Sequence, residues 1–364
     1  MILGGTGLTT NKKRSNKKTV LTIGLFLLIA VIAVLFVFTT NRTSQSQKLE
    51  ETQILMDTPV TLTLYGANEK TLRTDKNEAF ALFSKIDKLS NRYDIIEGNI
   101  GYINSESGKT ITIDPLLAEQ LETAIAYSQK TDNQFNIGLG KLIELWKKKE
   151  IENTLPTEDE ISLSLKNTDS SEILLADNRL SIPEGMVLDL GAVSKGYAIE
   201  KTWQLLNAKQ HLTGAIINGG GNVKVLGTPP GKDSYRIGVQ DPREPDQLIG
   251  TTTLTHEDTI STSGDYQRYY TINGIKCPHI FSSRTGFPAK ENVAVTVITQ
   301  NGMLADILST TLYLLPYKEG LAFLENLLFK VEALWISKDL KITKTTGFPF
   351  ALEDEKGHYI YETP

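Results

Sequence analysis

The stretch Val187-Leu188-Asp189-Leu190-Gly191-Ala192-Val193-Ser194-Lys195-Gly196-Tyr197-Ala198-Ile199 constrains this chain more than any other, because it predicts a short apolar strand that turns at a glycine into a helix. A strand-to-helix turn is an anion site. The glycine lets the backbone turn closely, and the first N–H groups of the helix point outward with the positive end of its dipole. Asp189 stands at the end of the strand, and Lys195 adds a cation one turn into the helix. The arrangement suits a phosphate-bearing ligand, with Asp189 available to a ribose, a ring nitrogen or a metal. A capped helix with a surface lysine has the same local pattern, and the stretch alone does not separate the two.

The chain has 364 residues, 40% of them hydrophobic and 22% charged, which is enough for a sizeable core, expected as two lobes. A net charge of −5 gives no reason for wrapping nucleic acid. The single cysteine, Cys277, excludes an intramolecular disulfide and any multi-thiolate metal site.

Lys12, Lys13, Arg14, Lys17 and Lys18 precede an uncharged, largely apolar run from Thr19 to Thr40. A helix of that run can cross a hydrocarbon core of about 30 Å. The cationic flank places residues 1–18 in the cytoplasm and everything after the run outside. A cleaved signal peptide would have an apolar region of about 7–15 residues and a small-x-small site. This run is longer, Thr39-Thr40-Asn41-Arg42 offers no such site, and no cysteine is placed for lipid attachment. Residues 19–40 are therefore expected as an uncleaved transmembrane signal anchor and 41–52 as a polar linker. Residues 53–364 are expected as the extracytoplasmic domain, on a single-pass protein of the cell membrane.

Within that domain Ile54, Met56, Val60, Leu62 and Leu64 include an alternating run, read as a strand after a turn at Thr58-Pro59. A helix from Glu69 to Leu89 carries the stripe Ala79, Leu82, Phe83, Ile86 and Leu89. Asp114 and Pro115 open a second helix as N-cap and first residue. A third begins near Gly138. Met186 to Leu188 is expected as a short strand. After Ala208 strands dominate, with a hairpin at Asn273-Gly274. The irregular order of strands and helices predicts an α+β fold.

The helix Gly302 to Leu315 has an apolar stripe of Leu304, Ile307, Leu308, Thr311, Leu312 and Leu315. Asp306 and Thr310, four apart, stack on the other side, where a carboxylate and a hydroxyl could share a hard cation such as Mg²⁺ or simply face solvent. His279, in Cys277-Pro278-His279-Ile280, is a candidate general base or a hydrogen-bonded structural residue. A cysteine nucleophile at Cys277 lacks any supporting Asn or Asp motif, and a lone cysteine serves more often as a small apolar filler. Asn218-Gly219-Gly220-Gly221-Asn222 permits close approach of a ligand or a tight turn, and is no dinucleotide fingerprint because a strand follows it. Ser261-Thr262-Ser263-Gly264-Asp265-Tyr266 offers hydroxyls for phosphate or for the turn itself.

Taken in order, eight motifs make the chain from about Met56 to Leu315 resemble the ApbE family, the FAD:protein FMN transferases. They are Met56-Asp57-Thr58, Leu89-Ser90-Asn91-Arg92-Tyr93, Phe135-Asn136-Ile137-Gly138, Asp189 to Ala198, Asn218 to Asn222, Ser263 to Tyr266, His279-Ile280 with Arg284-Thr285-Gly286, and Ala305-Asp306 with Ser309-Thr310. The resemblance implies a two-lobed α+β fold holding FAD as substrate in a cleft, with Mg²⁺ beside its pyrophosphate. Tyr93 would stack on the flavin, Met56 would line its pocket, and Gln134, Phe135, Asn136, Asp189, Lys195 and Ile280 would contact FAD. The Ala192 carbonyl, Asp306 and Thr310 would bind the metal, and His279 would be the base. The implied reaction moves FMN to a Thr or Ser hydroxyl of an acceptor flavoprotein and releases AMP. An FAD pyrophosphatase and a non-catalytic flavin-binding surface protein are the alternatives. The chain departs from many members in having Asn136 for Asp and Gly98-Asn99 for a Ser-Glu pair.

Overall fold

The computed structural model describes residues 46–354 and 356–362. The expected cytoplasmic segment 1–18, the anchor 19–40 and the start of the linker lie outside the described residues. No helix among the described residues is long and apolar enough to cross a membrane.

The first correction concerns the linker. Strand β1 (Gln47–Leu55) pairs antiparallel with β2 (Thr58–Gly66), from Gln47↔Gly66 to Leu55↔Thr58, so residues 47–52 belong to the sheet. The turn falls at Met56-Asp57 rather than Thr58-Pro59. β1 reads as a linker because it is an edge strand: most of its side chains face water, and only Leu49 and Leu55 pack on the core. Both turn residues have positive φ, +51° and +56°, as the type I′ two-residue hairpin loop requires.

A nine-stranded sheet follows from this hairpin. Its order is β1, β2, β6 (Leu212–Gly219), β7 (Asn222–Gly227), β10 (Thr259–Gly264), β13 (Ala294–Thr299), β14 (Glu332–Ile336), β15 (Lys341–Lys344) and β17 (Ile360–Tyr361). Neighbours are antiparallel except β15 and β17. The alternation of side chains divides the sheet between two clusters. On β13, Val295 and Val297 join the main cluster while Ala294 and Ile298 join a second. The second cluster is closed by β8 (Tyr235–Gln240) and β9 (Leu248–Leu254), which with β16 (Phe350–Leu352) form a three-stranded sheet.

The main cluster is covered by helices α1 (Glu69–Ser90), α2 (Ile100–Ser105) and α3 (Pro115–Lys130), together with α6 (Ser194–Asn207) and α7 (Gly302–Leu314). The stripe of α1 and the Asp114-Pro115 start of α3 are as expected, with Asp114 Oδ1 accepting from Leu116 N at 2.8 Å. α6 packs on α1, β6 and β7, and α7 packs on α6, β10 and β13. Helix α8 (Tyr317–Glu325) follows directly on α7. A third apolar cluster joins α4 (Gly140–Glu152) and α5 (Glu158–Ser164) to the hairpin of β11 (Tyr269–Ile272) and β12 (Ile275–Pro278), which turns at Asn273-Gly274 as expected. The small sheet of β3 (Thr110–Thr112), β5 (Arg179–Ser181) and β4 (Leu174–Ala176) lies beyond α2 in sequence.

The described residues from Gln47 onward make one compact unit, so the expected two lobes appear only as separate apolar clusters within an α+β body. Two local expectations also change. The strand at Met186 to Leu188 reduces to a single parallel bridge, Leu139↔Val187. Helix α7 is buried all round except Leu304 and Leu314, because it is enclosed by α6 and the sheet, so the polar side bearing Asp306 and Thr310 is an interior face.

Candidate functional site

A cleft of about 750 Å³ opens beside the α6–α7 crossing, within the range of small-molecule and cofactor sites. Every residue that the family resemblance assigns to FAD, the metal or the base lines it: Met56, Tyr93, Gln134, Phe135, Asn136, Asp189, Ala192, Lys195, His279, Ile280, Asp306 and Thr310. They come from separate turns and helix ends that the sheet brings to one place.

The floor is built by α6 and α7. Asp306 is 4% exposed, and its carboxylate accepts from Asn222 Nδ2 at 2.8 Å, Lys195 Nζ at 3.2 Å and Gly196 N at 2.9 Å. Gly196 N–H is one of the first N–H groups of α6, which have no acceptor within the helix, and the Asp306 carboxylate satisfies it. Thr310 Oγ1 lies 3.2 Å from Ser263 Oγ, and Ser263 and Ser261 both meet Ser309. Ser261 donates to Asn222 Oδ1 at 2.8 Å, so one hydroxyl network joins β10, β7 and α7. The three glycines before Asn222 form a tight turn, with Gly220 and Gly221 at φ +58° and +93° between the paired Gly219 and Asn222.

These residues fit a hard cation. A carboxylate, a hydroxyl and a carbonyl are the oxygen donors Mg²⁺ accepts, and its other positions would go to water or phosphate oxygens. The Lys195 ammonium beside Asp306 shows that this carboxylate already receives positive charge. Among the described residues there is no cluster of three His, Cys, Asp or Glu suited to a metal, so Asp306 would be the charged protein ligand.

The wall is built around Arg92, whose side chain is 5% exposed. It reaches Asp189 Oδ2 at 3.2 Å, Glu144 Oε1 at 2.8 Å and the Gly140 carbonyl at 3.4 Å. Asp189 also accepts from Gly191 N at 2.8 Å, which shapes the turn into α6. Tyr93 follows Arg92 and is 60% exposed at the rim, with the Arg92 guanidinium 5.2 Å and Lys147 Nζ 4.6 Å from its ring centroid. Met56 is held by its backbone: its N–H donates to Asp87 Oδ2 at 3.0 Å and its carbonyl accepts from Arg268 Nη2 at 3.4 Å.

Phe135 and Ile280 are buried and belong to the core that supports the wall. Gln134 accepts from the Arg284 guanidinium at 2.9 and 3.2 Å once its amide is oriented to match. Asn136 donates to the Thr168 carbonyl at 3.0 Å and accepts from Gly138 N at 2.7 Å. A carboxylate could not make the first of these bonds, so the Asn at this position has a local reason.

His279 Nδ1 donates to the Arg268 carbonyl at 2.8 Å, which fixes the neutral tautomer with its lone pair on Nε2. Burial holds its pKa below the ordinary 6.5, against the hydrogen bond to the Arg268 carbonyl and the Asp189 charge, which raise it, and with the Arg268 and Lys195 charges, which lower it. The ring is thus held neutral, with Nε2 as its acceptor nitrogen. Cys277 is buried in the third cluster, its thiol pKa raised by burial, and it does not line the cleft; it is an apolar filler.

Sequence reasoning missed Arg92 as the link between Tyr93 and Asp189, Arg268 as the partner of His279 and Met56, and Asn222 as the partner of Asp306. Each lies in or beside a noticed motif, but a polar residue in a loop or at a strand end gives no sign of what it faces.

The ApbE family model matches residues 56–335. The FAD:protein FMN transferase of Klebsiella pneumoniae (strain 342) is 30% identical over 301 residues, covering 79% of this chain and 89% of that protein. The protein of the same name from Treponema pallidum (strain Nichols) is 28% identical, covering 67% and 72%. Among solved structures, the ApbE protein of Thermotoga maritima superposes with a TM-score of 0.73 at 26% identity, covering 84% of this chain and 97% of that one. The flavin transferase ApbE of Vibrio cholerae, at 21% identity and a TM-score of 0.67, shares the fold.

Proposed function

The chain belongs to the ApbE family and is a flavin transferase, and we propose that it moves FMN from FAD to a Thr or Ser hydroxyl of an acceptor protein, with Mg²⁺ and with release of AMP. The observation that carries this reading is Asp306, buried at the α6–α7 crossing with Lys195, Gly196 and Asn222 around its carboxylate, in the same cleft as a neutral His279.

Tyr93 stacks on the flavin ring at the rim, Met56 lines its pocket, and Asp189, Gln134, Phe135, Asn136 and Ile280 shape the path of the dinucleotide. Lys195 and the N-terminus of α6 meet the pyrophosphate. The acceptor hydroxyl gives its proton to His279 Nε2 while its oxygen bonds to the phosphorus next to riboflavin. The bond from that phosphorus to the bridging oxygen breaks, and its electron pair leaves with AMP. Mg²⁺ held by Asp306, Thr310 and the Ala192 carbonyl would neutralise charge on the pyrophosphate. The protein's part is chiefly positioning and electrostatic stabilisation.

Full-length protein incubated with FAD, MgCl₂ and an acceptor used by a relative should yield an acceptor heavier by one FMN residue and an equal amount of AMP. Free FMN and AMP without labelled acceptor would identify a pyrophosphatase instead. FAD binding with no turnover would defeat the proposal.

The proposal includes a location: residues 19–40 tether the catalytic domain outside the cell membrane, on the strength of the basic flank and the apolar run. The protein should sediment with membranes, and protease added to wall-stripped cells should digest its bulk. A soluble form beginning near Arg42 would show cleavage instead.

A further inference from the structure

Lys224 is completely buried and lies outside the cleft. β7 places it two residues from Asn222, so both point to the helix side of the sheet while Val223 and Val225 enter the second cluster. Its ammonium donates to the Glu257 carbonyl at 2.9 Å, to Thr259 Oγ1 at 3.3 Å and to the Gln300 carbonyl. It also stands 3.2 Å from Glu200 Oε2 and 4.4 Å from the Trp203 ring centroid. Burial pulls the Lys224 pKa down and the Glu200 carboxylate opposes that pull.

The partners of this ammonium lead to α7. Glu200 Oε2 accepts from Gly302 N at 2.7 Å, the first residue of α7, and Gln300 precedes the Asn301 N-cap of the same helix. Gln204 on α6 holds the other Glu200 oxygen at 3.1 Å. Here the two helices meet backbone to backbone. A Cβ on Gly302 would lie 2.8 Å from the Gly196 carbonyl, and one on Gly196 would collide with the Gly302 carbonyl. One turn further along α7, Asp306 accepts from Gly196 N.

We propose that Lys224 is a positioning residue for Asp306: its ammonium fixes Glu200 and the Gln300 carbonyl, and through them sets the first turn of α7 so that Asp306 meets Gly196, Asn222 and Lys195. The inference rests on the reading that Asp306 works in the cleft. A misplacement of about 1 Å at a reacting group can cost about a hundredfold in rate. The loss on removing Lys224 should therefore appear in the chemistry and the metal requirement rather than in flavin affinity.

The test is Lys224→Met in the full chain, at a temperature where circular dichroism shows it folded. FAD affinity without metal, read from flavin fluorescence, should stay within about twofold, while kcat falls by about tenfold or more. The MgCl₂ concentrations for half-maximal rate and for half-maximal rise in melting temperature with FAD should both increase. Ile342→Ala, at a buried site in β15, controls for lost stability and should leave both half-points unchanged. A folded Lys224→Met with unmodified kcat and half-points would overturn the inference. If it does not fold, Lys224→Met with Glu200→Gln buries no unpaired charge and should keep the raised half-points; unmodified values would overturn it equally. Full transfer by Asp306→Asn would instead remove the underlying reading of the site.

Discussion

Lys195 Nζ stands 3.2 Å from Asp306 Oδ1 across the crossing of α6 and α7, so the cleft floor pairs the cation expected at a phosphate with the carboxylate expected at a metal. This contact changes what substitution of Asp306 should do. A position off the apolar stripe predicts an untouched fold, but the buried carboxylate is the shared acceptor of Lys195, Gly196 and Asn222. Asp306→Ala strands buried donors, at about 1–3 kcal/mol for each left unsatisfied. It should lose both transfer and stability. Asp306→Asn keeps an acceptor and the volume, so it should separate the two, with transfer lost and the urea midpoint moved less. Rates across a MgCl₂ titration and urea unfolding of both variants check this.

The pH dependence follows from His279. Its pKa lies below 6.5 through burial, and its base is the neutral ring. The base form is present above that lowered pKa, so kcat/KM should be level through neutral pH and fall only as pH drops through the lowered value. His279→Ala should remove that acid limb and reduce the rate by about 10²–10⁴. Stability carries the same sign. The unfolded chain takes up the proton first, at about 6.5, so stability is lost as pH falls from there toward the folded-state value. A pH–rate profile of both proteins decides it; a limb that persists in His279→Ala belongs to another group.

The hairpin turn carries a local strain of its own. Asp57 is exposed with φ +56°, at the second loop position where glycine is favoured. Asp57→Gly removes the left-handed penalty but adds freedom to the unfolded chain, about 0.5–1 kcal/mol in the opposite sense. The left-handed penalty is about 1–2 kcal/mol for most residues and smaller for Asp, whose short polar side chain tolerates this region, so the variant should be at most modestly more stable. A lower melting temperature would show that Asp57 makes a compensating interaction.

What could be read in the sequence depended on whether a residue's partner lay nearby. The α1 stripe and the Asp114-Pro115 cap are local patterns, and the structure keeps them. Residues 47–52 of β1 read as linker because an edge strand exposes its side chains and so resembles one in composition. The interior face of α7 was invisible because a helix with a polar side gives no sign that a second helix covers it. Lys224 gave no signal at all, since a lysine in a strand ordinarily faces water. The cleft residues run from Met56 to Thr310, and no periodicity joins them; the ordered motifs of the family did.

Tyr93 offers the cleanest separation of binding from folding. It is 60% exposed, with its backbone N–H anchored to Asn91 Oδ1 at 2.7 Å, so the side chain can be changed with little effect on the fold. If the ring stacks on the flavin, Tyr93→Ala should weaken FAD binding by about 0.5–1.5 kcal/mol beyond the area lost, the usual worth of an aromatic pair. Tyr93→Phe should retain it, because stacking needs the ring and not the hydroxyl. The Arg92 and Lys147 cations near the ring would lose their aromatic partner in Tyr93→Ala only. Titration of FAD by flavin fluorescence, with melting temperatures measured alongside, should show weaker binding for Ala alone and the same melting temperature for all three proteins. Equal affinity in Tyr93→Ala would mean that the flavin lies elsewhere in the cleft.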